Sequence, residues 1–302
     1  MVYLCIMEQQ QQQARRGIYW SLAGNVFLAL AKGVTGLLGN SFALLADAIE
    51  SSTDVFSSLL VLLGLRYAHR PPDANHPYGH GKAEPLTTFG VVVFLVASAA
   101  IIIYQGIHNI RHEHELPAPF TLIVLGAIIV IKETFYRLVK RRGQDSGSST
   151  VAADAWHHRS DAITSLAAFL GIGLALLLGP EYAALDDWAA LVAAGIILYN
   201  AYRIFRPALG EVMDEHRYDA LEAHIRRQAL AVPGIQATEK CYVRKLGMQY
   251  WVDLHAQVGG HLTVDEGHAL AHRLKDHLQA QIPQLAEVHI HVEPVGPQHV
   301  TI

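Results

Sequence analysis

Charge and cysteine are scarce in this sequence. Only 17% of its 302 residues are Asp, Glu, Lys or Arg, against about 25% in an average soluble domain, so an ordinary cytosolic enzyme is a poor match. Its two cysteines, Cys5 and Cys241, are too far apart for a zinc-finger spacing and too few for a disulfide framework. Positive charge is not in excess: the formal net charge is −4 and the isoelectric point is near 6.5. That removes the basic footprint on which nucleic-acid binding depends. Apolar residues make up 51% of the chain, which excludes disorder as its overall state. What the chain has in unusual number is histidine, 18 residues, the commonest metal ligand among side chains.

The apolar residues are gathered into six stretches, 17–38, 41–67, 86–110, 119–139, 151–178 and 182–205. Each is long enough to cross about 30 Å of hydrocarbon as a helix. Beyond Pro207 the texture changes to short alternating runs rich in charge and histidine. The expected organisation is an N-terminal segment, 1–16, without regular structure, a six-helix transmembrane domain, 17–206, and a water-exposed tail, 207–302. Lys and Arg gather at one set of span ends, at Arg15, Arg16, Arg66, Arg70, Lys82, Arg137, Lys140 to Arg142, Arg203 and Arg206. The opposite ends carry little beyond Arg111. This bias places both termini in the cytoplasm, with the chain an integral, multi-pass protein of the cell membrane in contact with lipid. The apolar hexad Met1 to Ile6 is too short for a signal peptide's core, and Gln9 to Gln13 is a low-complexity run.

Acids inside the spans carry the functional information. Span two contains Ala46-Asp47-Ala48-Ile49-Glu50-Ser51-Ser52-Thr53-Asp54, and span five contains Ala153-Asp154-Ala155-Trp156-His157-His158-Arg159-Ser160-Asp161. The two share a frame, and offsets of three and seven put each acid set on one helix stripe. An ionised acid at mid-bilayer costs about 2.5–3.5 kcal/mol, so five cost roughly 12–17 kcal/mol unless they face each other, water or an ion. Glu50, Asp54, His157 and Asp161 can supply three carboxylates and one imidazole to a four-coordinate divalent ion held between two helices. The imidazole favours zinc-like metals, because calcium and magnesium prefer all-oxygen shells. Asp47 and Asp154, one turn back, suit supporting or pathway roles better than ligation. The alternative is a pair of polar stripes that only hydrogen-bond inside the bundle. The serines around both stripes read mainly as small residues that let helices approach closely.

After span two, Asp73, His76 and His80 offer one carboxylate and two imidazoles within eight residues. Pro71, Pro72 and Pro77 stiffen this loop, and Gly79 and Gly81 allow turns. Three ligands and an open position make a labile metal site; the alternative is a capped turn with solvated histidines. The tail reads in the order helix, strand, strand, helix, strand. Leu270, Leu274 and Leu278 recur every four residues along its second helix. In the last strand Val288, Ile290 and Val292 alternate with His289, His291 and Glu293.

The paired motifs of spans two and five, together with Asn75-His76-Pro77-Tyr78-Gly79-His80-Gly81-Lys82-Ala83-Glu84, resemble the cation diffusion facilitator family along nearly the whole chain. The resemblance implies a homodimeric exporter that exchanges a divalent metal for protons, with a ferredoxin-like cytoplasmic domain. It implies a second metal site at the loop positions. It also implies a two-metal cytoplasmic site at the dimer interface, at Glu239, His255, His268, His291 and Glu293, with His289 in reserve. Glu50 stands where relatives usually have Asp or His, so the family's metal-selectivity rules transfer poorly. The expected activity is proton-coupled efflux of zinc, or of iron(II), manganese, cobalt or cadmium, with no organic cofactor. Other classes considered are a membrane metalloenzyme and a membrane-tethered metal sensor. No H-E-x-x-H helix or G-x-S-x-G elbow supports an enzyme, and a sensor leaves the buried acids without a task.

Overall fold

The computed structural model describes residues 23–68, 70–112, 115–146, 149–247 and 249–295. The side chains at 135–136, 138–146 and 149–161 lie outside that description, as does the N-terminal segment 1–16. Six helices come first: α1 (Ala23–Leu38), α2 (Phe42–Ala68), α3 (Ala83–Ile110), α4 (Phe120–Ser146), α5 (Ser149–Leu178) and α6 (Ala184–Val212). The tail follows as α7 (Asp219–Leu230), β1 (Ala237–Leu246), β2 (Gln249–Val258), α8 (Val264–Gln281) and β3 (Leu285–Pro294).

Among the described residues three stretches are both long and apolar enough to cross a membrane: α2, α3 and Pro180–Val212. The described part of α1 and the Ala162–Leu178 portion of α5 are apolar but shorter. In α4 and α5 polar residues shorten the apolar stretch. Lys132, Glu133 and Arg137 interrupt α4, and the first half of α5 carries Asp154, His157 and Asp161.

The chain divides into two compact units, Met1–Leu60 with Gly90–Ile204, and Val61–Phe89 with Phe205–Ile302. In the first unit the core is built largely from alanine, including Ala43, Ala46, Ala99, Ala168, Ala190 and Ala194, around Leu44, Ile102 and Ile172. Small residues let backbones approach in lipid, where no hydrophobic effect drives helices together. Gly171 marks the limit of that approach: a Cβ there would collide with Ala189 Cβ and meet Leu185 O at 2.9 Å. The start of α2 is fixed from a distance in sequence. Asp186, near the start of α6, accepts hydrogen bonds from the Phe42 and Ala43 amides at 2.5 and 3.2 Å and from Ser41 Oγ at 2.8 Å. A remote carboxylate thus satisfies amides that α2 cannot pair internally, at its positive end.

In the second unit, the sheet order is β1-β2-β3, with β1 and β2 antiparallel and β2 and β3 parallel. Gly247, at φ 64°, makes the tight turn between β1 and β2. A crossover through α8 is what a parallel β2–β3 pair requires. Thr263 and Glu266 form a reciprocal capping box at the start of α8. Leu270, Leu274 and Leu278 of α8 pack with Ile225, Leu254 and Val288 in one core. Cys241 is buried in it, and burial pushes its thiol up to about 11, which leaves it unreactive. The helix–strand order is that of a ferredoxin-like domain. Pro207 lies inside α6, which continues to Val212. Proline removes one amide donor, and so close to its end the helix tolerates the loss.

Candidate metal centres

Glu50 and Asp54 lie on one stripe of α2, four residues apart; Glu50 is buried and Asp54 half-buried. Asp154, His157 and Asp161 fall in the helical backbone of α5, but their side chains lie outside the described residues. Asp47 is fully engaged. Its Oδ2 is 2.8 Å from Lys32 Nζ of α1 and accepts from Ser165 Oγ of α5 at 2.8 Å. Lys32 also donates to Ser51 Oγ at 2.9 Å. Sequence reasoning missed this network. Lys32 is one cation in a long apolar run, and Ser51 and Ser165 read as packing residues.

The loop brings its three expected ligands together. Donor atoms of Asp73, His76 and His80 lie within 4.8 Å of one another. Asp73 Oδ1 is 3.1 Å from His76 Nδ1, and Asp73 Oδ2 is 3.3 Å from His80 Nε2. The turn is drawn tight because Asp73 Oδ1 also accepts from the amides of His76 and Asn75, at 2.7 and 2.9 Å. The His76 amide is the main cause of a carboxyl held below its ordinary range, so this group stays ionised and available to a cation. His80 is buried, and its Nδ1 faces the Arg70 carbonyl at 3.4 Å. A proton on Nδ1 leaves Nε2 with its lone pair toward Asp73, as a ligating imidazole requires.

The histidines converge on the carboxylate, and Lys82 also pairs, donating to Asp214 Oδ1 at 2.6 Å and to the Glu211 carbonyl at 2.7 Å. Lys245 joins the same group through Glu211 Oε2 at 3.0 Å. Burial works against its charge, but the bond and the Glu211 field outweigh burial and raise it. A cleft of about 610 Å³ opens beside the loop, lined by Arg70, Pro72, Tyr78, Glu84 and Trp251.

On the tail the parallel register pairs His255 with His291 and Gln257 with Glu293. Donor atoms of His255, His291 and Glu293 accordingly lie within 4.8 Å. Glu293 Oε1 is buried without a hydrogen-bond partner, and Oε2 is 3.6 Å from His255 Nδ1. An orphaned carboxylate oxygen beside two imidazoles fits a divalent ion, which would supply the missing partner. Glu239 and His268 stand outside this cluster. Glu239 sits where the β1–β2 register slips between Thr238 and Cys241, and the His268 ring meets His272 edge to face with centroids 4.5 Å apart. His289 is drawn to Asp253 instead, at 3.4 Å.

One trio went unread in the sequence. His216 Nε2 lies 2.9 Å from Asp219 Oδ1 and 3.6 Å from Glu222 Oε2. It needs no ion: Glu222 is already held by Arg226 at 2.7 Å, and acids suit the first turn of α7. Spacing of three, residue to residue, was the available signal.

Comparison with known proteins extends this picture. Residues 18–213 match the family described as cation efflux transmembrane domain, and residues 218–295 the one described as cation efflux protein, cytoplasmic domain. The chain is 34% identical over 303 residues to metal tolerance protein 2 of Oryza sativa subsp. japonica, covering 91% of this chain and 77% of that protein. It is 28% identical over 290 residues to the manganese efflux system protein MneP of Bacillus subtilis, covering 95% and 98% of the two chains. Magnetosome protein MamB of Magnetospirillum gryphiswaldense is 25% identical over 286 residues, with 94% and 95% covered. Among solved structures, a nickel form of the MamM CTD is similar at 20% identity and a TM-score of 0.25, covering 26% of this chain and 99% of that one.

Proposed function

The chain belongs to the cation diffusion facilitator family of metal-cation efflux proteins, and from that premise we propose that it exports zinc in exchange for protons. The observation that carries this reading is the buried Glu50 four residues before Asp54 on an apolar helix, α2. Carboxylates so placed face one another, water or a cation, and a travelling divalent ion meets that need. Glu50 and Asp54, with His157 and Asp161 of α5, form the transport site.

Charge supplies the coupling. With its three carboxylates ionised and His157 neutral, the empty site carries three negative charges, and a bound divalent ion leaves one. When the ion departs, crowded carboxylates favour proton uptake, and metal binding releases those protons again. Alternating exposure of the site to the two sides of the membrane then links outward metal movement to inward proton movement. Residues 17–206 form the transport domain. Residues 207–302 form a cytoplasmic domain that binds metal and dimerises, and both termini lie in the cytoplasm. Asp73, His76 and His80 bind metal at the loop, and His255, His291 and Glu293 bind it on the tail. Glu239 and His268 contribute there only when a second copy is present.

Zinc is the first cargo because an imidazole sits among the ligands. Manganese is the second reading, favoured by the relative named as a manganese efflux protein over nearly its full length; iron(II), cobalt and cadmium follow. Purified protein in vesicles under a fixed pH gradient is expected to move zinc faster than iron(II) and manganese. Manganese flux equal to or above zinc flux would falsify the role given to His157. Assembly gives a separate expectation. In light scattering the solubilised chain should be a dimer, tightened by zinc and loosened by a chelator. A monomer that binds no zinc outside the membrane domain would end the case for the tail site.

A further inference from the structure

Lys32 has no exposed surface, and its partner Asp47 is only 2% exposed. Around them, α1, α2 and α5 converge on one carboxylate oxygen: Asp47 Oδ2 faces Lys32 Nζ at 2.8 Å and accepts from Ser165 Oγ at 2.8 Å. Ser51 Oγ and Ser165 Oγ also lie within reach of the ammonium, at 2.9 and 3.4 Å. Glu50 is one turn further along α2. The pair is therefore a built network next to the transport acids, and burying two charges this way is costly unless the geometry is satisfied.

We propose that Lys32 is a tethered counter-cation of the transport site. By occupying Asp47 it keeps this acid from joining Glu50 and Asp54 around the travelling metal. This rests on the transport-site reading above and adds a positioning residue that no ligand motif contains. The physical need is clear. An ion must bind firmly enough to enter and weakly enough to leave. Four carboxylates one turn apart on α2 and α5 would hold a divalent ion far more tightly than three. A fixed positive charge at Asp47 removes the fourth without leaving a hole in the packing, and the two serines keep the ammonium in place.

The test is zinc flux against zinc concentration for the full-length protein in vesicles. Four proteins are compared: wild type, Lys32→Met, the double variant Lys32→Met with Asp47→Asn, and Asp54→Ala. In Lys32→Met the released Asp47 should hold the metal, so KM and kcat both fall, each by about tenfold. A purely structural role would lower kcat and leave KM where it was. The double variant carries neither charge and should return both constants to within about threefold of wild type, the sign of a coupled pair. Unchanged KM in Lys32→Met, or a double variant as impaired as the single one, overturns the proposal. If Lys32→Met does not insert, the double variant decides alone: near-normal constants support the pairing and lost flux defeats it. Asp54→Ala separates the two ideas. Should it keep its flux, the transport-site reading fails whatever Lys32 does.

Discussion

Zinc flux is expected to vanish when Asp54 is replaced by alanine, while the protein still inserts and its tail still folds. Loss of a residue that only supports a ligand typically costs about 10–100-fold in metal affinity, so loss of a ligand from a four-group site should cost at least about a hundredfold. The remaining groups, Glu50, His157 and Asp161, would also hold one negative charge fewer against a divalent ion. Asp54 Oδ atoms have no packing task comparable to that of a core leucine, because the residue is half-buried. Vesicle uptake and zinc calorimetry on the same preparation check both parts. Near-normal flux from the variant would remove Asp54 from the ion's path.

Leu274→Ala should produce the largest loss of stability in the tail. Leu274 has no exposed surface and lies in the core between α8 and the sheet. Truncating such a leucine costs about 2.7–5.0 kcal/mol, depending on how far the cavity collapses. A small domain has only about 5–15 kcal/mol in total. Hydrogen exchange of the β2 and α8 amides, followed in the full-length protein, should accelerate roughly a hundredfold or more, since each 1.4 kcal/mol is a factor of ten. Acceleration confined to the ends of α8 would mean that the core is not the source of the tail's stability.

Much of this architecture was legible in the residues, for identifiable reasons. Long apolar runs leave little choice but helices, and α2 and α3 fall within three residues of their expected limits. Alternation in Val288, Ile290 and Val292 set the last strand, and the four-residue recurrence of leucine set α8. The loop cluster was also legible, since Asp73, His76 and His80 are close in sequence and a turn suffices to join them. What stayed hidden depends on partners far apart in the chain. Lys32 meets Ser165 across 133 residues, and no local pattern announces such a meeting. On the tail, Glu239 was matched by its position in the sequence, and the slip in the β1–β2 register between Thr238 and Cys241 that sets how it meets β2 was not visible there. Register is a property of two strands together, and one strand's pattern does not fix a bulge.

The hold of Asp186 on α2 has a consequence in time. The amide of Phe42 waits for a carboxylate 144 residues further along the chain. At synthesis rates of about 5–20 residues per second, that separation corresponds to roughly 7–30 seconds. During this interval α2 has been made but α6 has not, and of the capping bonds at its start only that from the Leu44 amide to Ser41 Oγ at 3.2 Å is local. The first turn of α2 therefore closes late, and the ribosome has passed Asp186 before the helix bearing Glu50 and Asp54 acquires its finished end.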